Sequence, residues 1–178
     1  MKKIIILDRD GIINRKKRKG SYVSSWKEFI FINKNIKGLL LLQNQGYKFI
    51  IITNQAGIGK KKFTIKKLKF IHNKMCEYLK LLGIKILKIY YCPHHPNSNC
   101  DCRKPKPSLF YKASSKYKFR LNKTIYIGDD PRDCMAAFNS GCKSILINRK
   151  KKFSQINNIN KPLAIKNHVL ESINIINK

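Results

Sequence analysis

Short apolar runs rich in β-branched residues alternate with helix-like segments along this chain, and this alternation limits the possible folds more than any other feature. Continuous apolar runs of this kind are typical of strands buried in a parallel sheet. We predict such strands at residues 4–7, 49–52, 86–91, 124–127 and 144–147. We predict helices at about residues 35–45, 64–82, 108–117 and 131–140. The alternation therefore predicts a doubly wound α/β fold with a three-layer, Rossmann-like parallel sheet.

The residues at the ends of the predicted helices support these bounds. Thr64 is a suitable N-cap, and Pro131 suits a first helical turn, where its missing N–H is not needed. Three helices are followed by a glycine, the residue that most often ends a helix, at Gly46, Gly83 and Gly141. A chain of 178 residues can build one proper core, so we expect residues 1–178 to form a single domain.

The charge balance is strongly basic, with 39 lysine and arginine residues, nine aspartate and glutamate residues, and a net charge of +30. Such a charge is common in proteins that bind nucleic acid. Here the basic residues are spread along the chain, and the abundance of Lys, Ile and Asn is the bias that AT-rich codons produce. We therefore expect a solvated lysine surface and no specific nucleic-acid partner.

The few acidic residues are more informative than the many basic ones. Five of the nine occur in two clusters, each directly after an apolar run, namely Asp8 and Asp10 and then Asp129, Asp130 and Asp133. The ligand site of a doubly wound sheet lies beyond the carboxyl ends of its strands. The chemistry of this chain is therefore expected at these two clusters.

Three further segments stand apart from the alternation. Residues 14–25 form a polar insertion with a basic run at 15–19, and residues 92–107 form a loop rich in Cys, His and Pro. After a charge run at 149–152, we predict a docked amphipathic helix near residues 168–176. The sequence contains no stretch of eighteen apolar residues and no signal-peptide pattern after Met1, so we expect a cytoplasmic protein that does not enter the membrane.

Four short motifs follow one another in register with the predicted elements. They are Asp8-Arg9-Asp10-Gly11 after the first strand, Thr53-Asn54-Gln55 after the second, Arg103-Lys104-Pro105 before the third helix, and Gly128-Asp129-Asp130-Pro131 after the fourth strand. In this order they resemble the motifs of the haloacid dehalogenase-like phosphatases, over about residues 1–148. The resemblance implies Mg²⁺-dependent hydrolysis of a phosphomonoester. No segment between the motifs is long enough for a large cap domain.

The resemblance assigns a role to each motif residue. Asp8 is implied as the nucleophile, and Asp10 as the general acid that later acts as the base. The implied Mg²⁺ ligands are Asp8, Asp10 through its backbone carbonyl, Asp129 and Asp130. The implied phosphate ligands are Thr53, Asn54, Gln55, Arg103 and Lys104. Asp133 either serves the dipole of its helix or orients Lys104.

The Cys-rich loop contains a Cys-x-His and a Cys-x-Cys pair. Cys92, His94, Cys100 and Cys102 together form a ligand set that is common in closed structural Zn²⁺ sites. Free thiols or a redox pair are the alternatives, and His95 could replace His94. The remaining cysteines fall in or beside predicted helices, where we expect them to fill the core, at Cys76, Cys134 and Cys142.

Within the superfamily, the first motif and the Cys-rich loop together resemble the D-glycero-D-manno-heptose 1,7-bisphosphate 7-phosphatases, whose substrate is a small phosphorylated sugar. Histidinol-phosphate phosphatases share the zinc loop, but Ile12-Ile13-Asn14 favours the heptose group. The chain departs from the usual Ala-Arg-Gly at Gly59-Lys60-Lys61, and Lys lacks the bidentate recognition of phosphate that Arg provides. The basic run at 15–19 could compensate by binding the distal phosphate.

Two readings from other classes remain open. A zinc-stabilised nucleic-acid-binding module would explain the charge and the cysteines, but carboxylates at strand ends would repel a phosphate backbone. A noncatalytic family member acting as an interaction protein would explain the motifs as relics, although the presence of both Asp8 and Asp10 argues against it. We expect a monomeric enzyme.

Overall fold

A six-stranded, all-parallel sheet forms the centre of the protein, in the order β3-β2-β1-β4-β5-β6. The computed structural model describes residues 3–18, 20–147 and 160–177. The strands are β1 (Ile4–Leu7), β2 (Lys48–Asn54), β3 (Ile86–Cys92), β4 (Ile125–Gly128), β5 (Lys143–Ile147) and β6 (Ala164–Lys166). The helices are α1 (Asn33–Asn44), α2 (Ile65–Leu81), α3 (Ser108–Tyr117), α4 (Pro131–Ser140) and α5 (Ile173–Ile176). The prediction of a Rossmann-like, three-layer α/β fold is confirmed.

Alternation along β1 divides the core between the two faces of the sheet, because successive side chains of a strand point to opposite faces. Ile5 and Leu7 pack in one cluster with buried residues of α1 and α2. Ile4 and Ile6 pack in a second cluster with α3 and α4. The strand is therefore covered on both faces, which explains why its sequence is apolar throughout.

The predicted helix ends agree with the structure. The hydroxyl of Thr64 accepts a hydrogen bond from the backbone N–H of Lys67, and α2 begins at the next residue. Gly46, Gly83 and Gly141 all have positive φ angles, as expected for glycines that follow helices. The bounds of β1, α3 and α4 are those predicted, and α1, α2 and β2–β5 differ from the prediction by one or two residues at their ends.

The C-terminal part of the chain differs from the prediction. Instead of one amphipathic helix near 168–176, a 3₁₀ helix (Val169–Ser172) leads into the single turn of α5, and the short edge strand β6 precedes them. This segment is docked, since Val169 is buried and its N–H donates to Asn35 Oδ1. The backbone lies so close to Gly38 of α1 that a Cβ there would overlap Leu170. The charge run predicted at 149–152 lies outside the described residues.

The polar insertion at 14–25 is anchored at both ends instead of being wholly solvated. Asn14 and Val23 are buried, and Arg15 N–H donates to Ile30 O at 2.8 Å. Glu28, at the end of a short 3₁₀ helix, accepts hydrogen bonds from the N–H and hydroxyl of Ser24 and pairs with Lys17. The N–H bond from Ser24, helped by Lys17, lowers the pKa of Glu28 to about 2. Among residues 3–18, 20–147 and 160–177, no helix is long and apolar enough to cross a membrane.

Candidate functional site

The two aspartate clusters meet in one cleft of about 1160 Å³ at the carboxyl edge of the sheet. Strands β1 and β4 are neighbours, and Asp8 N–H donates to Ile127 O at 2.9 Å, so the loops that follow both strands start side by side. The predicted site residues that line this cleft are Asp8, Asp10, Asn54, Gln55, Arg103, Lys104, Asp129, Asp130 and Asp133. Thr53 is buried behind them.

Lys104 is the buried cation at the base of the cleft. Its ammonium lies 3.1 Å from Asp8 Oδ1 and 2.8 Å from Asp133 Oδ1, and it donates to the hydroxyl of Tyr126. Burial alone would lower its pKa, but the carboxylates of Asp133 and Asp8 raise it. Lys104 is therefore a fixed positive charge beside the predicted nucleophile, where a phosphate group would need one.

Asp8 is almost completely buried, with 8% of its surface exposed. Burial raises its pKa, and the nearby Asp133 and Asp10 act in the same direction against Lys104. Its Oδ1 atom is buried and accepts no hydrogen bond within the described residues, apart from the ion pair with Lys104. A buried carboxylate oxygen without a hydrogen-bond donor is suited to bind a further cation.

Asp8 belongs to a cluster of three carboxylates, together with Asp129 from the loop after β4 and Asp133 from the first turn of α4. One oxygen each of Asp8, Asp129 and Asp133 lie within 4.8 Å of one another. Both oxygens of Asp133 are already occupied, Oδ1 by Lys104 and Tyr126 and Oδ2 by the N–H groups of Asp129 and Asp130. Asp133 therefore holds the loop and Lys104 in place. Among the described residues, the Asp129 carboxylate accepts hydrogen bonds only from the half-exposed Lys16, so Asp8 and Asp129 are the pair better suited to bind a hard cation such as Mg²⁺ in place of that ammonium.

Asp130, which was assigned to Mg²⁺ on sequence, lies at the start of α4 in this structure. It is the N-cap of α4 and forms a capping box with Asp133. Its carboxylate accepts from Arg132 Nε and Nη2 at 2.8 Å each. The structure therefore groups Asp133, not Asp130, with Asp8 and Asp129.

Asp10 follows Asp8, the predicted nucleophile, by two residues, and hydrogen-bond donors surround its carboxylate. Its carboxylate accepts from Arg9 Nη2 at 2.9 Å, from Asn14 Nδ2 at 2.8 Å and from Gln55 Nε2 at 2.9 Å. Burial opposes ionisation, but Arg9 and these hydrogen bonds lower the pKa of Asp10. The side chain is therefore held in one orientation as a carboxylate.

Residues of the second motif (Thr53-Asn54-Gln55) form hydrogen bonds with the first motif, at Asp10, and with the third motif, at Lys104. Asn54 Nδ2 donates to Lys104 O, and Lys104 N–H donates to Asn54 Oδ1, each at 3.1 Å. Gln55 Nε2 bridges Asp10 and the hydroxyl of Thr53. These three residues were assigned to phosphate on sequence; in this structure Asn54 contacts the third motif, Gln55 contacts the first motif, and the Thr53 hydroxyl contacts Gln55.

Gly11 allows the loops after β1 and β4 to approach closely. Its φ is +90°, a conformation that glycine adopts readily, and a Cβ at this position would overlap the Asp129 carboxylate. The glycine of the first motif is therefore required both by its backbone conformation and by the space it leaves for Asp129.

Lys16 forms ion pairs with the carboxylates of Asp129 and Asp130, whereas the sequence identified it only as one residue of the basic run at 15–19. Its ammonium lies 2.9 Å from Asp129 Oδ2 and 3.5 Å from Asp130 Oδ2. Burial, opposed by Lys16, raises the pKa of Asp129 to about 7. Other residues of the run also border the cleft, namely Arg15, Lys17 and Arg18, whereas Lys19 lies outside the described residues.

The four predicted zinc ligands converge in the Cys-rich loop. Their ligand atoms all lie within 4.8 Å of one another. Cys92 Sγ is 3.6 Å from Cys100 Sγ and 3.7 Å from His94 Nδ1, which in turn is 3.2 Å from Cys102 Sγ. A tetrahedral ion with bonds of about 2.1–2.3 Å separates its ligands by roughly 3.4–3.8 Å. Two of these three distances lie in that range and the third is slightly shorter, so the four ligand atoms are close enough together to bind a single metal ion.

The residues around this cluster agree with the ligand assignment. His95 Nδ1 accepts from the N–H of Asn97, so His94 and not His95 contributes the ring nitrogen. Gly59 N–H donates to Pro93 O at 2.8 Å, which joins the second-motif loop to the Cys-rich loop. A Cβ on Gly59 would overlap the backbone at His95. The other cysteines are free, with Cys134 and Cys142 buried and Cys76 half-buried.

The fold and the aspartate pair at the end of β1 define the class of protein, a haloacid dehalogenase-like phosphatase. The family model described as polynucleotide kinase 3 phosphatase matches residues 3–168. A solved D,D-heptose 1,7-bisphosphate phosphatase from B. bronchiseptica, complexed with magnesium and phosphate, superposes with a TM-score of 0.87 at 27% identity, covering 98% of this chain and 97% of that one.

Two bacterial relatives are named D-glycero-beta-D-manno-heptose-1,7-bisphosphate 7-phosphatase. The protein from Neisseria meningitidis is 36% identical over 156 residues, which are 86% of this chain and 82% of the relative. The protein from Helicobacter pylori is 39% identical over 146 residues, 82% of this chain and 83% of the relative. The chain belongs to the family of D-glycero-D-manno-heptose-1,7-bisphosphate 7-phosphatases within the haloacid dehalogenase-like phosphatases.

Proposed function

We propose that this protein removes the 7-phosphate of D-glycero-D-manno-heptose 1,7-bisphosphate through an aspartyl-phosphate on Asp8. The observation that carries the proposal is the position of Asp8, which faces the cleft between the buried cation of Lys104 and the carboxylate of Asp129. A nucleophile needs positive charge beside it to approach a phosphate group that is itself surrounded by negative charge; Lys104 supplies one such charge, and the carboxylates of Asp8 and Asp129 could hold a second, a metal ion.

In the first half-reaction, a carboxylate oxygen of Asp8 attacks the phosphorus atom, and the bond from phosphorus to the sugar oxygen breaks. Asp10 gives its proton to that departing oxygen. Lys104 neutralises charge on the phosphate, and Arg103, which also lines the cleft, can bind a second phosphate oxygen.

In the second half-reaction, a water molecule attacks the phosphorus atom of the aspartyl-phosphate. Asp10 takes a proton from this water, the bond from phosphorus to Asp8 breaks, and inorganic phosphate leaves. The donors around Asp10 favour its carboxylate form, which is the form that acts as a base. A bound phosphate dianion beside Asp10 would favour the protonated form that the first half-reaction needs.

The residues present fit Mg²⁺ at the nucleophile. Asp8, Asp129 and the backbone carbonyl of Asp10 would hold it, and hard oxygen ligands with open positions for water and phosphate suit this ion. When bound, it supplies positive charge to the phosphate oxygens. Asp133 would act by fixing Lys104 and the loop after β4.

We also propose that the cysteine cluster binds a structural Zn²⁺ ion. Three thiolates and one imidazole leave no open position for substrate, and Cys102 directly precedes Arg103 and Lys104. The ion would fix the end of the loop that carries both cations into the cleft. Basic residues of the segment 15–18, which also line the cleft, would bind the distal 1-phosphate of the substrate.

Phosphate release from a substrate panel tests the proposal. The panel contains both anomers of the heptose 1,7-bisphosphate and histidinol phosphate, with the wild-type protein, the Asp8→Asn variant and controls without Mg²⁺. We expect magnesium-dependent release from a heptose bisphosphate, weak release from histidinol phosphate, and none with Asp8→Asn. Preference for histidinol phosphate would assign the chain to that activity, and no release from any phosphomonoester would favour a noncatalytic role.

We further propose that residues 1–178 act as a single catalytic domain, as a monomer in the cytoplasm, without a nucleic-acid partner. Gel filtration at assay concentration tests the oligomeric state. A competition assay with duplex DNA at physiological salt tests the nucleic-acid reading, since binding that comes only from charge falls steeply with salt.

A further inference from the structure

Arg9, the residue between the two motif aspartates, is buried although it carries a permanent charge. Only 1% of its surface is exposed. Its Nη2 atom donates to both oxygens of Asp10 at 2.9 Å, and its Nη1 atom lies 3.1 Å from His72 Nε2. One guanidinium therefore connects the general acid and base of the proposed reaction to a histidine 63 residues further along the chain.

His72 must accept the hydrogen bond from Arg9, because a guanidinium has donors only. The proton of the neutral ring then belongs on Nδ1. Burial, together with the charge of Arg9, lowers the pKa of His72 to about 3, which agrees with a neutral ring. His72 is 5% exposed and lies on α2 between the core residues Ile71 and Met75. The position of its Nε2 is thus set by the packing of a long helix.

This arrangement is poorly explained as a device for stability. Burying a guanidinium is costly, and replacing a buried ion pair by apolar side chains of similar volume is often neutral or stabilising. Arg9 Nε is also buried without a hydrogen-bond partner among the described residues. The arrangement instead fixes an orientation. Because the guanidinium is planar, the contact of Nη1 with His72 also fixes the direction in which Nη2 donates to Asp10.

We propose that His72 is a positioning residue for catalysis, which acts through Arg9 to fix the direction of the Asp10 carboxylate toward the substrate. This inference rests on the proposed phosphatase function. Asn14 and Gln55 hold the same carboxylate from other sides, so loss of His72 would misdirect Asp10 without releasing it.

The proton transfers of Asp10 are the steps that would suffer. A misdirected Asp10 gives its proton less well to the departing sugar oxygen and takes a proton less well from the water that attacks the aspartyl-phosphate. Attack by Asp8 on a substrate whose leaving group is stable as an anion, such as 4-nitrophenyl phosphate, needs no proton and would stay fast. Correctly placed acids and bases contribute about 10²- to 10⁴-fold, so partial loss of direction should cost about 10-fold or more.

Three variants of α2 test this inference. His72→Leu keeps an apolar body but removes the acceptor, whereas His72→Gln restores an acceptor oxygen. Leu79→Ala, at a fully buried position two turns further along α2, is the control for destabilisation alone. Each variant is assayed on the best alkyl phosphate of the wild-type protein and, by stopped flow, on 4-nitrophenyl phosphate, with thermal unfolding recorded alongside.

We expect His72→Leu to lower kcat on the alkyl phosphate about 10-fold or more, with KM changed less than about threefold. On 4-nitrophenyl phosphate it should release one nitrophenolate per active site in a rapid burst, followed by slow turnover. His72→Gln should recover most of kcat, and Leu79→Ala should lower stability without this pattern. If all three variants lose activity in proportion to stability, or if His72→Leu keeps its kcat, the inference is overturned. If the wild-type protein hydrolyses no phosphomonoester, the proposed function itself has failed.

Discussion

Asp8→Asn separates the catalytic role of Asp8 from its effect on stability, because the structure predicts a large loss of the first and almost no loss of the second. When all are ionised, Asp8, Asp129 and Asp133 carry three negative charges in one cluster, against the two positive charges of Lys104 and Lys16. An amide at position 8 brings this balance from −1 to zero. Lys104 keeps Asp133 at 2.8 Å as its partner.

The sign of the stability change follows from the pKa of Asp8. Burial raises this pKa, so at neutral pH the folded protein holds the ionised form less favourably than the unfolded chain does. Removing that charge therefore removes a cost, and without Mg²⁺ the free energy of unfolding should stay within about 1 kcal/mol of wild type or rise. Lys104→Met should do the opposite and cost about 3–5 kcal/mol, because it leaves Asp8 and Asp133 buried without a cation.

Urea unfolding in Mg²⁺-free buffer measures these differences. The metal should be removed by dialysis and not by a chelator, which would also take a zinc ion. Mg²⁺ at 100 times its dissociation constant should stabilise the wild-type protein by about 2.7 kcal/mol, and Asp8→Asn by less. Turnover of Asp8→Asn should fall below about one thousandth of wild type.

The control is Glu77→Gln, which makes the same change of net charge at an exposed position outside the cleft. It should leave both activity and Mg²⁺ response unchanged. Residual turnover of Asp8→Asn above a tenth of wild type would refute the covalent mechanism. A loss of more than about 3 kcal/mol without Mg²⁺ would refute the electrostatic reasoning, because it would mean that the Asp8 charge stabilises the fold.

Three further changes have distinct expected outcomes. Cys102→Ser should remove about one tightly bound zinc per chain in metal analysis, lower the melting temperature and raise KM while the Mg²⁺ requirement persists, whereas Cys76→Ser should change none of these. Gly11→Ala should weaken Mg²⁺ binding in calorimetry, since its Cβ would displace Asp129; unaltered binding would contradict the close packing. Glu28→Gln should cost about 1 kcal/mol or less at pH 7 because the side chain is partly exposed, and the difference from wild type should shrink as pH falls from about 4.5 toward 2, the folded-state pKa. A difference that is constant with pH would exclude the ionised Glu28 as its source.

Much of the fold could be predicted because local sequence and tertiary environment agree. Strands buried on both faces must be apolar throughout, and the helices end on glycines or begin at capping residues. The exception is the C-terminal part, where β6 has only three half-buried residues and the following turns depend on docking against Asn35 and Gly38. Such contacts leave no periodic signal in the sequence.

The candidate site was predictable where a residue lies directly at a strand end, as for Asp8 and Asp129. It was less predictable where a role depends on a distant partner. The sequence assigns no role to Arg9, because its position depends on a contact with His72, 63 residues further along the chain. The contact between Lys16 and Asp129 depends on the path of a loop and joins residues 113 positions apart. The spacing from Asp130 to Asp133 is that of a capping box and could have assigned both residues.

The contact at Gly59 has a consequence for how substrate preference can diverge among related enzymes. There the N–H of Gly59 in the second-motif loop donates to Pro93 O in the Cys-rich loop. A side chain at position 59 would overlap the backbone at His95 and push the two loops apart. Changes in either loop are then constrained by the other, and by the cations that follow Cys102.

Residues 20–25, by contrast, meet the second-motif loop through side chains, with the ring centroids of Tyr22 and Phe63 6.2 Å apart. Side-chain contacts accept substitution more readily than contacts between two backbones. New specificities in this scaffold should therefore arise first in residues 20–25.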